Sequence, residues 1–387
     1  MSNLSQTVEI LRALVGFDST SGKPTHEIIA YIQEYLSSHG IESSLSYDDK
    51  GERANIYATI GPHVAGGVLL NGHTDVVPVD GQNWSTDPFV LTQKDERLYG
   101  RGSVDMKGFL ACVLGSVPLF KDADLKRPIH IAFSYDEEIG GLGMPVLLSA
   151  MADYPAQPDV VIVGEPTGMK IVTGHKGGYE MRTEIIGHAV HSCDPTLGAN
   201  AINAAMKVIA KIESLAQERA ANPISGSHFV PAYPTFNIGT IEGGAARNAT
   251  AGWCNFDWDY RPMPGEDGAL VIAEIEDYAR TEVLPALRAI SPDTDVCIIT
   301  ETAVPPLDDS NAEMAAAFVS AVTGINSREV VSFGTDAGYF SDADFSTVAF
   351  GPGDISRAHK ADEYIQLTEL AQGLTFMTKI AEALSKG

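Results

Sequence analysis

Cysteine is scarce in this chain, and the four that occur, Cys112, Cys193, Cys254 and Cys297, form no Cys-x-x-Cys pair and no framework spacing. That argues against a thiolate zinc site and a disulfide scaffold, and it predicts free, buried thiols. Basic residues are also few. With 26 Lys and Arg against 51 Asp and Glu the net charge is −25, a field that repels nucleic acid and anionic lipid, keeps the chain soluble and suits a cationic substrate. No apolar run approaches the roughly 20 residues needed to cross a bilayer. The start, Met1-Ser-Asn-Leu-Ser, lacks the basic and apolar stretches of a signal peptide. A cytoplasmic protein without nucleic-acid or membrane partners is expected, and no internal repeat or low-complexity tract stands out.

What remains is a globular composition. Hydrophobic residues at 44% and charged ones at 20% of 387 are far from a disordered balance, and the length allows two domains or a little more. Helical and strand patterns alternate in the first part, as an α/β sheet requires. Thr25 is placed to cap a helix whose face carries Ile28, Ile29, Ile32, Tyr35 and Leu36, with Gly40 closing it. Four apolar runs then lead into polar turns. Val68-Leu69-Leu70 precedes Asn71-Gly72-His73, residues 129–135 precede Asp136-Glu137-Glu138, residues 160–163 precede Gly164-Glu165-Pro166, and residues 347–350 precede Gly351-Pro352-Gly353 and then His359. Loops beyond the carboxyl ends of strands gather functional groups in open α/β sheets, so one shared edge can collect all four.

The pattern changes near Gly177-Gly178. Strand 179–186, helix 200–217, strands 235–241 and 251–260, helix 268–284 and strand 295–302 follow in the order βαββαβ, the ferredoxin-like unit. The expected division is a catalytic, metal-binding domain over 1–177 and 304–387 with an inserted domain over 178–303. The stretch 220–233, with Asn222-Pro223 and Ser225-Gly226, is expected to be a surface loop.

Five metal-competent residues, His73, Asp105, Glu138, Glu165 and His359, lie in these turns and supply an N/O donor set for a dinuclear zinc site. In His73-Thr74-Asp75 the alternating spacing lets the Asp75 carboxylate accept the imidazole's second N–H if the strand continues. Asp105 precedes an apolar helix, so by itself it reads as a helix-capping acid. Its two oxygens also suit it to bridge metals roughly 3.5–4 Å apart. Glu137 and Glu138 should point in opposite directions at a strand end, so that one can bind metal while the other faces substrate. Singly, each residue has a bland reading; together, at strand ends, they argue for a site.

The segments Gly72-His73-Thr74-Asp75-Val76-Val77-Pro78, Gly100-Arg101-Gly102-Ser103-Val104-Asp105-Met106-Lys107-Gly108, Asp136-Glu137-Glu138 and Gly164-Glu165-Pro166-Thr167 resemble the dinuclear zinc amidohydrolases and exopeptidases nearly end to end. That family includes acetylornithine deacetylases, succinyl-diaminopimelate desuccinylases, aminoacylases and glutamate-releasing carboxypeptidases. The resemblance implies a zinc-exopeptidase-like mixed sheet flanked by helices, with the inserted domain as a lid through which a homodimer forms. It implies two Zn2+ per subunit, one on His73, Asp105 and Glu165 and one on Asp105, Glu138 and His359, with Glu137 as general base; Co2+ or manganese also suits such donors. By the same resemblance His191, in Gly187-His188-Ala189-Val190-His191-Ser192, reaches the partner subunit's active site, and Asn248 and Arg261 position an N-acyl amino acid.

Within that family, Pro78-Val79-Asp80-Gly81-Gln82-Asn83-Trp84, Ser332-Phe333-Gly334-Thr335-Asp336-Ala337-Gly338 and Ala358-His359-Lys360-Ala361-Asp362-Glu363-Tyr364 resemble the acetylornithine deacetylases. Gly334 and Thr335 would contact the substrate carboxylate. Asp336 stands where glutamate is expected, as the acid that reads the substrate's amine. The implied reaction is hydrolysis of N2-acetyl-L-ornithine to ornithine and acetate, in arginine biosynthesis. Its alternatives are a desuccinylase or another acyl-amino-acid deacylase, a metallo-carboxypeptidase or dipeptidase, and a non-catalytic zinc-stabilised binding protein.

Overall fold

The computed structural model describes residues 3–154 and 156–386. The chain divides into two compact units, Met1–His175 with Leu307–Gly387, and Lys176–Pro306. The first unit holds β1 (Ser43–Tyr47), β2 (Ala54–Ile60), β3 (Val68–His73), β4 (Thr92–Lys94), β5 (Arg97–Tyr99), β6 (Ile129–Ser134), β7 (Val160–Val163) and β8 (Ile171–His175). The second holds β9 (Gly178–Ile186), β10 (Thr235–Gly243), β11 (Trp253–Arg261) and β12 (Asp295–Val304). The first then resumes with β13 (Arg328–Val331), β14 (Ser346–Ala349) and β15 (Tyr364–Gln366).

Eight strands of the first unit form one mixed sheet in the order β1-β2-β6-β3-β7-β14-β8-β13. Within it β6, β3, β7 and β14 are consecutive neighbours and run parallel. Their carboxyl ends therefore share one edge, as the apolar runs led us to expect. All four strands are buried almost throughout because both faces of the sheet are covered. Val160 and Ile162 face one core with helices Asn3–Val15, His26–Ser38, Lys107–Gly115 and Leu367–Leu384. Val161 and Val163 face another with helices Met144–Ala152 and Asp336–Asp342.

Helix His26–Ser38 ends as expected and begins differently. Gly40 adopts φ +73°, and the N–H groups of Gly40 and Ile41 donate to the Ser37 and Leu36 carbonyls, closing the last turn. Thr25 occupies the N-cap position, but its Oγ1 accepts the Ala54 N–H at 2.9 Å and ties the helix to β2 instead of capping it. The thiols also depart from expectation. Cys112 and Cys254 are buried, whereas Cys193 and Cys297 are exposed.

In the second unit the sheet order is β10-β11-β9-β12, antiparallel throughout, the strand order 2-3-1-4 of a βαββαβ unit. Helices Ala201–Ala221 and Gly268–Tyr278 cover one face. Met181, Thr183 and Ile185 of β9 and Cys254, Phe256, Trp258 and Tyr260 of β11 are buried beneath them with the period of two that a strand imposes. Where the chain leaves and re-enters the first unit, His175 and Leu307 exchange backbone hydrogen bonds of 3.2 and 3.1 Å. Among the described residues no helix is long and apolar enough to cross a membrane.

Candidate metal centre

His73 is the last residue of β3, buried, with Nε2 3.3 Å from Asp105 Oδ1. Its Nδ1 lies 3.0 Å from the Asp75 main-chain oxygen and 3.5 Å from the Asp75 carboxylate. The strand ends before Asp75, so the carbonyl and not the expected carboxylate is the nearer acceptor. The Asp75 carboxylate has other duties. It accepts the Glu137 N–H at 3.1 Å, the Glu138 N–H at 3.2 Å and the Ser21 hydroxyl at 2.7 Å. No spacing in the sequence relates residue 75 to 137, so this link was invisible there.

Glu137 and Glu138 do not continue β6. They open a 3₁₀ turn, Glu137–Ile139, entered through Asp136 in the left-handed region at φ +54°, so the opposite-facing arrangement expected of a strand does not apply. Asp105 does not cap a helix either. Helix Lys107–Gly115 starts after Met106, and the Asp105 carboxylate presents Oδ1 to His73 Nε2 and Oδ2 to His359 Nε2, each at 3.3 Å. His359 Nε2 is also 2.9 Å from Glu138 Oε2. Glu165 follows β7, is buried, and its Oε1 has no hydrogen-bond partner.

The donor atoms of His73, Asp105 and Glu165 lie within 4.8 Å of one another, as do those of Asp105, Glu138 and His359. The two triads share Asp105. Burial, then the nearby Asp105 carboxylate, pushes Glu165 well above the ordinary carboxylate range; burial does the same to Glu137. Hydrogen bonds to Asp105 and Glu138 hold the His359 imidazole up at about 10. In His73 the effect of burial is outweighed by hydrogen bonds to Asp105 and Asp75, which raise it too. Crowded carboxylates leaning on two imidazoles are what a bound divalent cation would relieve. A cation would also give the orphaned Glu165 oxygen a partner, so the residues present fit a metal pair of the N/O-preferring kind.

The other expected contacts divide. Thr335 Oγ1 accepts the Ala337 N–H at 3.1 Å and caps helix Asp336–Asp342. Asp336 is buried, accepts the Ser134 hydroxyl at 2.5 Å and is pushed up to about 6, chiefly by burial. Its charge also raises Glu137 and Glu165, which places it beside the two triads. Gly334 is half-buried, and Thr335 and Glu165 line a cavity of about 230 Å³ with Val172, Val331 and Phe333. In the second unit His191 and Asn248 are both exposed, and they neighbour each other: Ser192 N–H donates to the Asn248 carbonyl at 3.0 Å. His191 Nδ1 accepts the Cys193 N–H at 3.1 Å. Arg261 ends β11 with Nε 3.3 Å from Asp259 Oδ1.

Residues 69–383 match peptidase family M20/M25/M40. The chain belongs to this family. As an M20-family hydrolase it resembles the acetylornithine deacetylase of Myxococcus xanthus, at 34% identity over 95% of this chain and 96% of that one. The acetylornithine deacetylase of Proteus mirabilis strain HI4320 is 31% identical, over 97% and 96%. Among solved structures, an M20 family metallo-carboxypeptidase from Sulfolobus solfataricus superposes with a TM-score of 0.74 at 19% identity, covering 99% of this chain and 100% of that one. A tripeptidase from Staphylococcus aureus gives 0.73 at 18%, covering 99% of each. At such identity these two establish the shared M20 fold.

Proposed function

We propose that this M20-family hydrolase removes the acetyl group of N2-acetyl-L-ornithine, giving L-ornithine and acetate in the cytoplasm as a step of arginine biosynthesis. The observation that carries the reading is Asp105, one carboxylate with an oxygen turned to each of two histidines, joining two triads while Glu137 stands outside both. The choice of substrate is supported by relatives of that name at 30–34% identity over nearly the whole chain.

His73, Asp105 and Glu165 would hold one zinc, and Asp105, Glu138 and His359 the other, with Co2+ as a substitute. Such a pair supplies Lewis-acid polarisation of the acyl carbonyl and a water made acidic enough to deprotonate near neutral pH. Glu137, on a turn whose backbone is held by Asp75, would serve as general base toward the attacking water and then as general acid toward the leaving amine. Because His191 Nδ1 accepts the Cys193 N–H, its neutral ring carries the proton on Nε2. That proton is a donor for the oxyanion of the tetrahedral intermediate in a partner subunit's site. Arg261 would pair the substrate carboxylate bidentately, with Asn248, Gly334 and Thr335 assisting. The unit Lys176–Pro306 would act as lid and dimerisation domain.

A panel of purified-enzyme assays tests the substrate. N2-acetyl-L-ornithine should show the highest kcat/KM against succinyl-diaminopimelate, acyl-amino acids lacking a side-chain amine, and dipeptides. Faster turnover of any of these would displace the assignment, and release of amino acids from peptides would point to a peptidase.

A further inference from the structure

Asp105 and His359 sit on loops far apart in sequence, and one polar network holds both. Glu363 is buried at 1% exposure, as is Arg101. Glu363 Oε1 accepts the backbone N–H groups of Val104 and Asp105 at 2.9 and 3.2 Å, while Oε2 accepts Arg101 Nη1 at 2.6 Å. Arg101 Nη2 donates to Gln82 Oε1 at 2.6 Å, and Gln82 Nε2 donates to the His359 carbonyl at 3.1 Å. Trp84 Nε1 donates to the same Gln82 oxygen at 3.1 Å, and its ring lies 5.1 Å from the guanidinium carbon. The path runs without a gap from the Asp105 backbone to the His359 backbone.

A buried Arg–Glu pair gives little net stability over a well-packed apolar replacement, so its value here is geometric. His359 needs such help. Its side chain is half exposed, its φ is +61°, and it follows only a short 3₁₀ turn, Ile355–Arg357. Resting on the dinuclear reading above, we infer that Glu363, Arg101, Gln82 and Trp84 are positioning residues that set the two metal positions relative to each other. Glu363 governs the shared Asp105. Gln82, with Trp84 fixing its amide, governs only the position that includes His359.

The two arms of the network therefore predict different losses, measurable by chelator competition and metal content on the full-length protein. Gln82→Leu should weaken one of two zinc equivalents by about 10–100-fold, the usual cost of losing an outer hydrogen-bond partner, and leave the other unchanged. Glu363→Gln should weaken both. Trp84→Phe, which removes the indole N–H and keeps an aromatic ring, should weaken the same equivalent as Gln82→Leu by less, and it maintains the test if Glu363→Gln does not fold. Wild-type affinity for both equivalents in Gln82→Leu and Trp84→Phe overturns the inference, even if their melting temperatures fall. A wild-type protein that takes up fewer than two equivalents overturns the dinuclear reading itself, and the inference with it.

Discussion

Glu137 differs from its neighbour Glu138 in one respect that matters for chemistry: Glu138 meets His359 at 2.9 Å, and Glu137 belongs to neither triad. Glu137→Ala should therefore lower kcat by about 10²–10⁴-fold, the range for a lost general base, while metal analysis still finds two equivalents. An unchanged kcat in that variant would remove Glu137 from the role of general base. A second residue predicts a pH effect on stability. His130 is buried in β6, its Nδ1 2.7 Å from the Tyr57 hydroxyl and its Nε2 3.2 Å from the Gly66 carbonyl, and burial lowers its pKa below the ordinary imidazole value. A folded pKa below the unfolded one gives stability that is present above about pH 6.5 and is lost as pH falls through the folded value. Between about pH 7.5 and about pH 5.5 acidification should therefore be less unfavourable to the melting temperature of His130→Gln than to that of the unaltered protein. Equal slopes would assign the acid sensitivity to other groups. Residue identity at the site was legible because ligand chemistry restricts the side chains that serve; the second role of Asp75 was not, because its partners are backbone groups of a distant turn.

At the scale of elements, the site is a set of strand ends and the turns that leave them. Each end is defined by a local event that the sequence signals imperfectly: β3 stops at His73, β6 stops at Ser134, and Asp136 turns left-handed before the acidic pair. Asp75 joins two of these ends by accepting two successive backbone N–H groups, one on each oxygen. An asparagine there offers one acceptor and confronts a donor with a donor. Asp75→Asn should lower kcat by about 10–100-fold through a displaced Glu137-Glu138 turn, with an unchanged far-ultraviolet circular dichroism spectrum; wild-type kcat would show that the turn holds without it. The helix at 26–38 teaches the same lesson in a simpler place. Its stop at Gly40 was readable from a residue that tolerates positive φ, while the Thr25 hydroxyl went to β2, a partner that only packing supplies.

For the whole molecule, the proposed lid makes a test that no single site can. If His191 serves the partner subunit's site, dimers carrying His191→Ala in one subunit and Glu137→Ala in the other contain one intact site of two. Mixing the two inactive variants should then restore roughly a quarter of wild-type activity, since random pairing in a twofold dimer makes half the dimers mixed. No recovery would remove the cross-subunit role. The sequence by itself determined the candidate ligand types, the apolar runs that precede them, the βαββαβ order of the insertion and the family, because these depend on local pattern and on side-chain chemistry. Only the tertiary structure decided which oxygen of Asp105 meets which histidine, that Asp336 is sealed against Ser134, and that Glu363 reaches Asp105 through its backbone. Those facts follow from strand order in the sheet and from hydrogen bonds to main-chain atoms, which every residue carries and no sequence pattern distinguishes.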